Sequence, residues 1–189
     1  MTATSRNRTV LLAVTTVLAI VCGALLWHRL PVSTDVYAPF DVRGTIGERT
    51  AGRGLSAVVD GVTIAPVLRP SESEKTQKAV GIWVVVDGSF DADPDYGLMH
   101  VELLVGPNHY NAAALLYQPP QLQPGITEQR GWPFDVAPDV LDKVDSVVFR
   151  AWLGDGRLDT RLVIDIPLDD QRVRHTAVVE IPPPHRVGR

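Results

Sequence analysis

Residues 147–167 read VVFRAWLGDGRLDTRLVIDIP, and this stretch decides the fold. Val147, Phe149, Ala151 and Leu153 fall at every second position, with Arg150 on the other side. After Gly154-Asp155-Gly156, Leu158, Thr160, Leu162, Ile164 and Ile166 alternate with Asp159, Arg161 and Asp165. A period of two puts alternate side chains on opposite faces of a strand, and a short Gly-Asp-Gly link joins two strands as a hairpin. Pro167 and Asp169-Asp170 end the pattern.

The same grammar extends upstream. Met99, Val101, Leu103 and Val105 alternate with His100, Glu102 and Leu104. Thr127 to Val136 puts Trp132 and Phe134 on one face, and Pro138 ends it. Ile82-Trp83-Val84-Val85-Val86 does not alternate, which predicts a central strand covered on both sides. Leu55, Ala57 and Val59 lead to Asp60-Gly61, read as a hairpin turn, with Val62 and Ile64 opening the return strand toward Arg69-Pro70. Ser71 to Lys78 and the acidic Asp87 to Gly97 read as loops, and Tyr110 to Tyr117 as a strand or extended piece. Short strands at this spacing predict an all-β, antiparallel, immunoglobulin-like sandwich over residues 42–170. The tail 171–189 has room for one edge strand, Thr176 to Ile181, before Pro182-Pro183-Pro184 and an expected mobile end.

The N-terminal part differs in kind. Thr9 to Trp27 carries no charge and is long enough to cross a hydrocarbon core of roughly 30 Å as a helix. Arg6 and Arg8 precede it without an acidic companion. The positive-inside rule then puts residues 1–8 in the cytoplasm, a membrane helix at 9–29, a linker at 30–41 and the remainder outside the cell membrane. Trp27 and His28 sit where an interfacial anchor belongs. Cleavage as a signal peptide is the lesser reading, because the apolar run is long and no Ala-x-Ala site follows. Lipidation of Cys22 is lesser still, since Val21 is bulky and the chain stays apolar beyond it.

Of 189 residues, 45% are hydrophobic and 21% charged, and the net charge is −4. This composition excludes a disordered chain and argues against nucleic-acid binding. The lone cysteine excludes an intrachain disulfide. Asp91, Asp93 and Asp95 alternate as the ligands of a calcium loop do, and Glu102 stands at the spacing of a twelfth ligand. But Tyr96 occupies the place of the required glycine and Pro94 stiffens the loop, so a solvated acidic loop is the preferred reading and no metal is expected. His100 and Glu102 share a strand face, and a zinc site would need a third ligand such as His109. No Gly-x-Ser-x-Gly elbow, phosphate-binding glycine loop or His-Glu-x-x-His occurs, and no cofactor is expected. Trp83 is read as core. Trp152 with Arg150 is the one candidate contact pair for a partner, since Trp and Arg dominate interface energetics, although packing of Trp152 against a neighbouring loop is the preferred reading. Arg172, Arg174, Arg186 and Arg189 make the tail mildly basic.

The stretch Gly44 to Asp165 resembles the immunoglobulin-like sandwich domains of unknown function found on secreted or membrane-anchored bacterial proteins, a group related to small immunoprotective extracellular antigens. The matching pieces are Gly44-Thr-Ile-Gly47, Gly81-Ile-Trp-Val-Val-Val-Asp87, and Leu122-Gln-Pro-Gly125 followed by Phe134-Asp-Val-Ala-Pro138. Ala137 is an extra residue in the last of these, and Gly88-Ser89-Phe90 replaces the group's Asn-x-Gly turn. The resemblance implies a sandwich, export, and a binding or scaffolding role without shared catalytic residues.

Together these readings lead to the expectation of a non-catalytic, membrane-anchored extracytoplasmic domain. It would dock a protein partner as an accessory subunit of an envelope complex or transporter. The alternative is a carrier of a lipid or glycan inside the sandwich. An envelope enzyme is the third reading, with no catalytic constellation in its favour.

Overall fold

The computed structural model describes residues 3–30, 37–70, 75–92, 97–113 and 121–188. The chain divides into two units, Met1–Ala38 and Pro39–Arg189.

The first unit holds helix α1 (Ala3–Arg29). Its Leu11–Arg29 part has a mean hydropathy of 2.1 and none of it is buried inside the protein, so it is long and apolar enough to cross a membrane. The Thr15 and Thr16 hydroxyls donate to carbonyls of Leu11 and Leu12, one turn back. Such back-bonding lets a hydroxyl sit in an apolar surrounding without an unmet donor.

The second unit is a two-sheet sandwich. In chain order its strands are β1 (Phe40–Thr45), β2 (Thr50–Ala51), β3 (Leu55–Pro70), β4 (Gln77–Ala92), β5 (Gly97–Val105), β6 (Asn108–Asn111) and β7 (Gln121–Leu122). There follow β8 (Ile126–Val136), a short helix α2 (Pro138–Leu141), β9 (Ser146–Leu153), β10 (Thr160–Pro167), β11 (Val173–His175), β12 (Val178–Ile181) and β13 (His185–Gly188). One sheet runs β1-β10-β9-β5-β6, with β7 also on β5. The other runs β11-β3-β4-β8-β13, with β2 and β12 also on β3. The chain changes sheet between β1 and β2, between β4 and β5, on either side of β8, and between β10 and β11. Three strands (β3, β4, β8) therefore face four (β6, β5, β9, β10), the arrangement of an immunoglobulin-like Greek key.

The core follows from the alternation. Met99, Val101, Leu103 and Val105 of β5 are buried, as are Val147, Phe149 and Ala151 of β9 and Leu162, Ile164 and Ile166 of β10. Four rings fill the middle. Phe149 lies 6.1 Å from Phe90, 6.5 Å from Trp132 and 6.3 Å from Phe134, and Phe90 meets Trp132 edge-on at 5.7 Å. The central strand β4 is covered on both faces, as its unbroken apolar run predicts. Val84, Val86 and Phe90 belong to the main core, whereas Trp83 and Val85 join Ala65, Leu68 and Val179 in a second cluster on the outer face. The Trp83 indole N–H donates to the Gln77 carbonyl at 3.1 Å.

Gly81 in β4 has no room for a side chain. A Cβ there would lie 2.1 Å from the Val136 carbonyl oxygen, and its own N–H donates to Asp135 Oδ1 at 2.8 Å. Gly81→Ala is expected to destabilise the sandwich by about 2–3 kcal/mol, because backbone must move to admit the methyl. Chemical denaturation of the full chain checks this.

Several sequence expectations change. Asp60-Gly61 is not a hairpin: β3 is one 16-residue strand with a register irregularity between Val59 and Gly61, so the extra residue is absorbed as a bulge. The stretch read as an acidic loop from Asp87 is strand as far as Ala92. The predicted strand position of Leu158 is a turn residue with φ 50°. The sandwich is not purely antiparallel, since β1 runs parallel to β10, and β11 and β12 run parallel to β3. The tail holds three short strands rather than one followed by loose chain. It forms a strap: β11 and β12 pair with β3, and β13 pairs with β8 on the far side of β4. Arg186 Nε fastens its end to the buried Glu128 carboxylate at 3.0 Å.

Candidate functional site

Among the described residues, two surfaces stand out for their polar chemistry. The first is the outer face of the sheet that contains β9. Cross-strand register pairs Trp152 with His100 and Arg150 with Glu102. The rings of His100 and Trp152 stack with centroids 5.9 Å apart. Arg150 Nη1 is 3.5 Å from Glu102 Oε2, and Glu102 Oε1 is 2.7 Å from His109 Nδ1 on β6. Arg161 of β10, in register with Trp152, holds Asp41 through two bonds of 2.8 and 3.1 Å. The face is therefore a laced array of opposite charges around one half-buried tryptophan, with the exposed Leu98 beside it. Arg150 and Trp152 do come together here, each braced by its neighbour on β5.

The same register brings Glu102 and His109 into contact and leaves His100 two residues along, under Trp152. Among the described residues no group of three His, Cys, Asp or Glu side chains has the geometry to hold a metal ion.

Asp91 lies elsewhere, on the outer face of the other sheet. Its side chain is only 5% exposed, and it pairs with Arg49 at 3.0 Å. It also accepts bonds from the hydroxyls of Ser56 and Thr127. These donors hold the carboxylate inside the fold rather than in a solvated loop. Asp93 and Asp95 lie outside the described residues.

The second surface was not visible from motifs. Under the strap lies a wide-open cavity of about 420 Å³, lined by Asp60, Asp87, Gly88 and Gln129–Gly131 below and by Arg174, Glu180, Pro182, Pro183 and His185 above. Asp87 lines its floor. In register it stands between Gly61 of β3 and Gly131 of β8. A Cβ on Gly131 would meet Asp87 Oδ1 at 2.7 Å, so the glycine makes room for the carboxylate. Burial raises the Asp87 pKa to about 6, with Arg174 opposing and Asp60 adding to the rise. Asp60 itself accepts a bond from the Ser89 hydroxyl at 3.1 Å, and Glu180 pairs with Arg69 at 2.8 Å. A carboxyl flanked by glycines on both neighbouring strands is a signal present in the sequence, but only the register reveals it.

No protein family model matches the chain, and neither does any curated protein. Among solved structures it is similar to an uncharacterized beta-sandwich protein from Clostridium difficile 630, at 12% identity, over 72% of this chain and 99% of that one, with a TM-score of 0.47.

Proposed function

We propose that this chain is a non-catalytic, single-pass membrane protein that presents its sandwich outside the cell membrane and docks a protein partner there. On this reading it is an accessory subunit of an envelope complex or transporter, and a relative of the secreted and membrane-anchored bacterial sandwich domains that its motifs resemble. The observation that carries the proposal is the union, in one chain, of a fully exposed apolar helix and a sandwich whose centre is filled by its own rings. Arg6 and Arg8 before the helix favour a cytoplasmic N-terminus. The Phe90, Trp132, Phe134 and Phe149 side chains occupy the place that a lipid or glycan held between the sheets would need, which favours partner docking over that alternative.

The face around Trp152 and Arg150 is the docking surface of this reading. A flat, salt-bridged sheet face offers a partner paired charges plus one large ring, the composition that dominates binding energies. Trp152→Ala is expected to lower stability by about 1 kcal/mol or less, the worth of one exposed ring stack. Partner retention is expected to fall at least about tenfold, the loss of one binding hot spot. Thermal melts and quantitative co-purification of wild type and Trp152→Ala check this. Equal retention by both would remove this face from the account.

A further inference from the structure

We propose that the cavity under the C-terminal strap binds a saccharide unit of a glycan, independently of the partner-docking face on the opposite sheet. Its volume of about 420 Å³ is far too large for a bare ion and falls within the range of small-molecule sites, roughly 300–1,000 Å³. Its chemistry narrows the class. Asp60 and Asp87 present acceptors, Arg174 presents donors, and Gln129 presents both. Among the described lining residues there is no Phe, Tyr or Trp and His185 carries the one aromatic ring, so a flat apolar ligand finds little to stack on. Nor does the site ask for a strong ligand charge. Glu180 is neutralised by Arg69 on the strand beside it, and Arg174 sits close enough to act on the Asp87 charge.

Vicinal hydroxyls meet this set of groups better than other common ligand chemistry does. Each hydroxyl donates to a carboxylate while accepting from a guanidinium or amide, so one sugar ring satisfies both kinds of wall group at once. The rings of Pro182 and Pro183 in the strap offer a C–H surface for the apolar face of the sugar. Gly131 keeps the floor low beside Asp87, at a strand position where any side chain would intrude. Glycine inside a strand commonly marks such a close approach.

The test uses full-length protein in lipid nanodiscs, which avoids sugar-headed detergents. Saturation-transfer NMR is read with diacetylchitobiose and maltose as probes and spermidine as the cationic comparison. The expected result is a saturable signal from at least one disaccharide, with dissociation constants in the millimolar range or tighter. Gly131→Val, which fills the floor, should abolish it, and Arg174→Gln should weaken it by about tenfold, the loss of a charged hydrogen bond. Arg150→Ala, on the other face, should leave it unchanged. Arg174→Gln lies on a short edge strand, so it keeps the test informative if Gly131→Val does not fold. No saturable sugar signal up to about 20 mM, a concentration ceiling for weak specific binding, overturns the proposal. So does a signal from spermidine alone, or sugar binding that neither variant alters.

Discussion

Phe149→Ala is expected to remove about 3–5 kcal/mol of stability, a large part of the roughly 5–15 kcal/mol that holds an ordinary domain folded. Phe149 is fully buried and touches the rings of Phe90, Trp132 and Phe134, all three in the sheet opposite. It is the residue where both inner faces meet. Truncation forfeits the transfer energy of the ring and leaves a cavity among three rings that cannot close over it without leaving their rotamers. Phe149→Leu keeps most of the volume and is expected to cost clearly less. Urea denaturation of the full chain, followed by tryptophan fluorescence, measures both. A cost under about 1 kcal/mol for the alanine variant would mean that the quartet does not hold the sheets together.

Asp87→Asn is expected to stabilise the fold at neutral pH relative to its effect in acid. The folded-state pKa of Asp87 is raised from 3.8 to about 6 by burial. In acid the group is neutral in both states. As pH rises above about 4, the unfolded chain ionises it freely while the folded chain resists. Wild-type stability therefore falls between about pH 4 and pH 6 and is flat in this respect above that. The full loss is about 3 kcal/mol, at 1.36 kcal/mol per pH unit over roughly two units. Asparagine cannot ionise, so the stability difference between variant and wild type should climb by up to that amount across this window. Thermal melts from pH 4 to pH 7.5 give the curve. Arg174→Gln should extend the wild-type loss upward in pH, because Arg174 now holds the pKa down. A difference curve that stays level would show that Asp87 ionises as freely in the fold as in water.

These two residues also show what was legible in the sequence. Phe149 announced itself, because a hairpin of strict period two reports its inward face locally. The same holds for β5 and for the two-sided burial of β4. Asp87 did not. Its standing depends on register with Gly61 and Gly131 and on a strap more than eighty residues downstream, none of which leaves a local pattern. Asp91 misled for the same reason: alternating acids read as a solvated loop, but Arg49, Ser56 and Thr127 arrive from elsewhere to satisfy the carboxylate. The tail strands of three or four residues are too short to show a period, and two of them pair in parallel with a strand over a hundred residues away. The Asp60-Gly61 bulge imitated a turn because bulges and turns favour the same residues. At the candidate face, the Arg150 and Trp152 pair was visible as residue types. Their braces on β5, Glu102 and His100, became visible only through pairing.

The most direct test of the account is a quantitative purification of the full-length protein from native membranes in mild detergent, run in parallel for wild type and Trp152→Ala. The account predicts that both remain in the membrane fraction after alkaline washing, and that wild type carries a stoichiometric envelope protein which Trp152→Ala loses. Recovery in the soluble fraction would contradict the anchor. A solitary wild-type protein, or a partner held equally by both, would contradict the docking face.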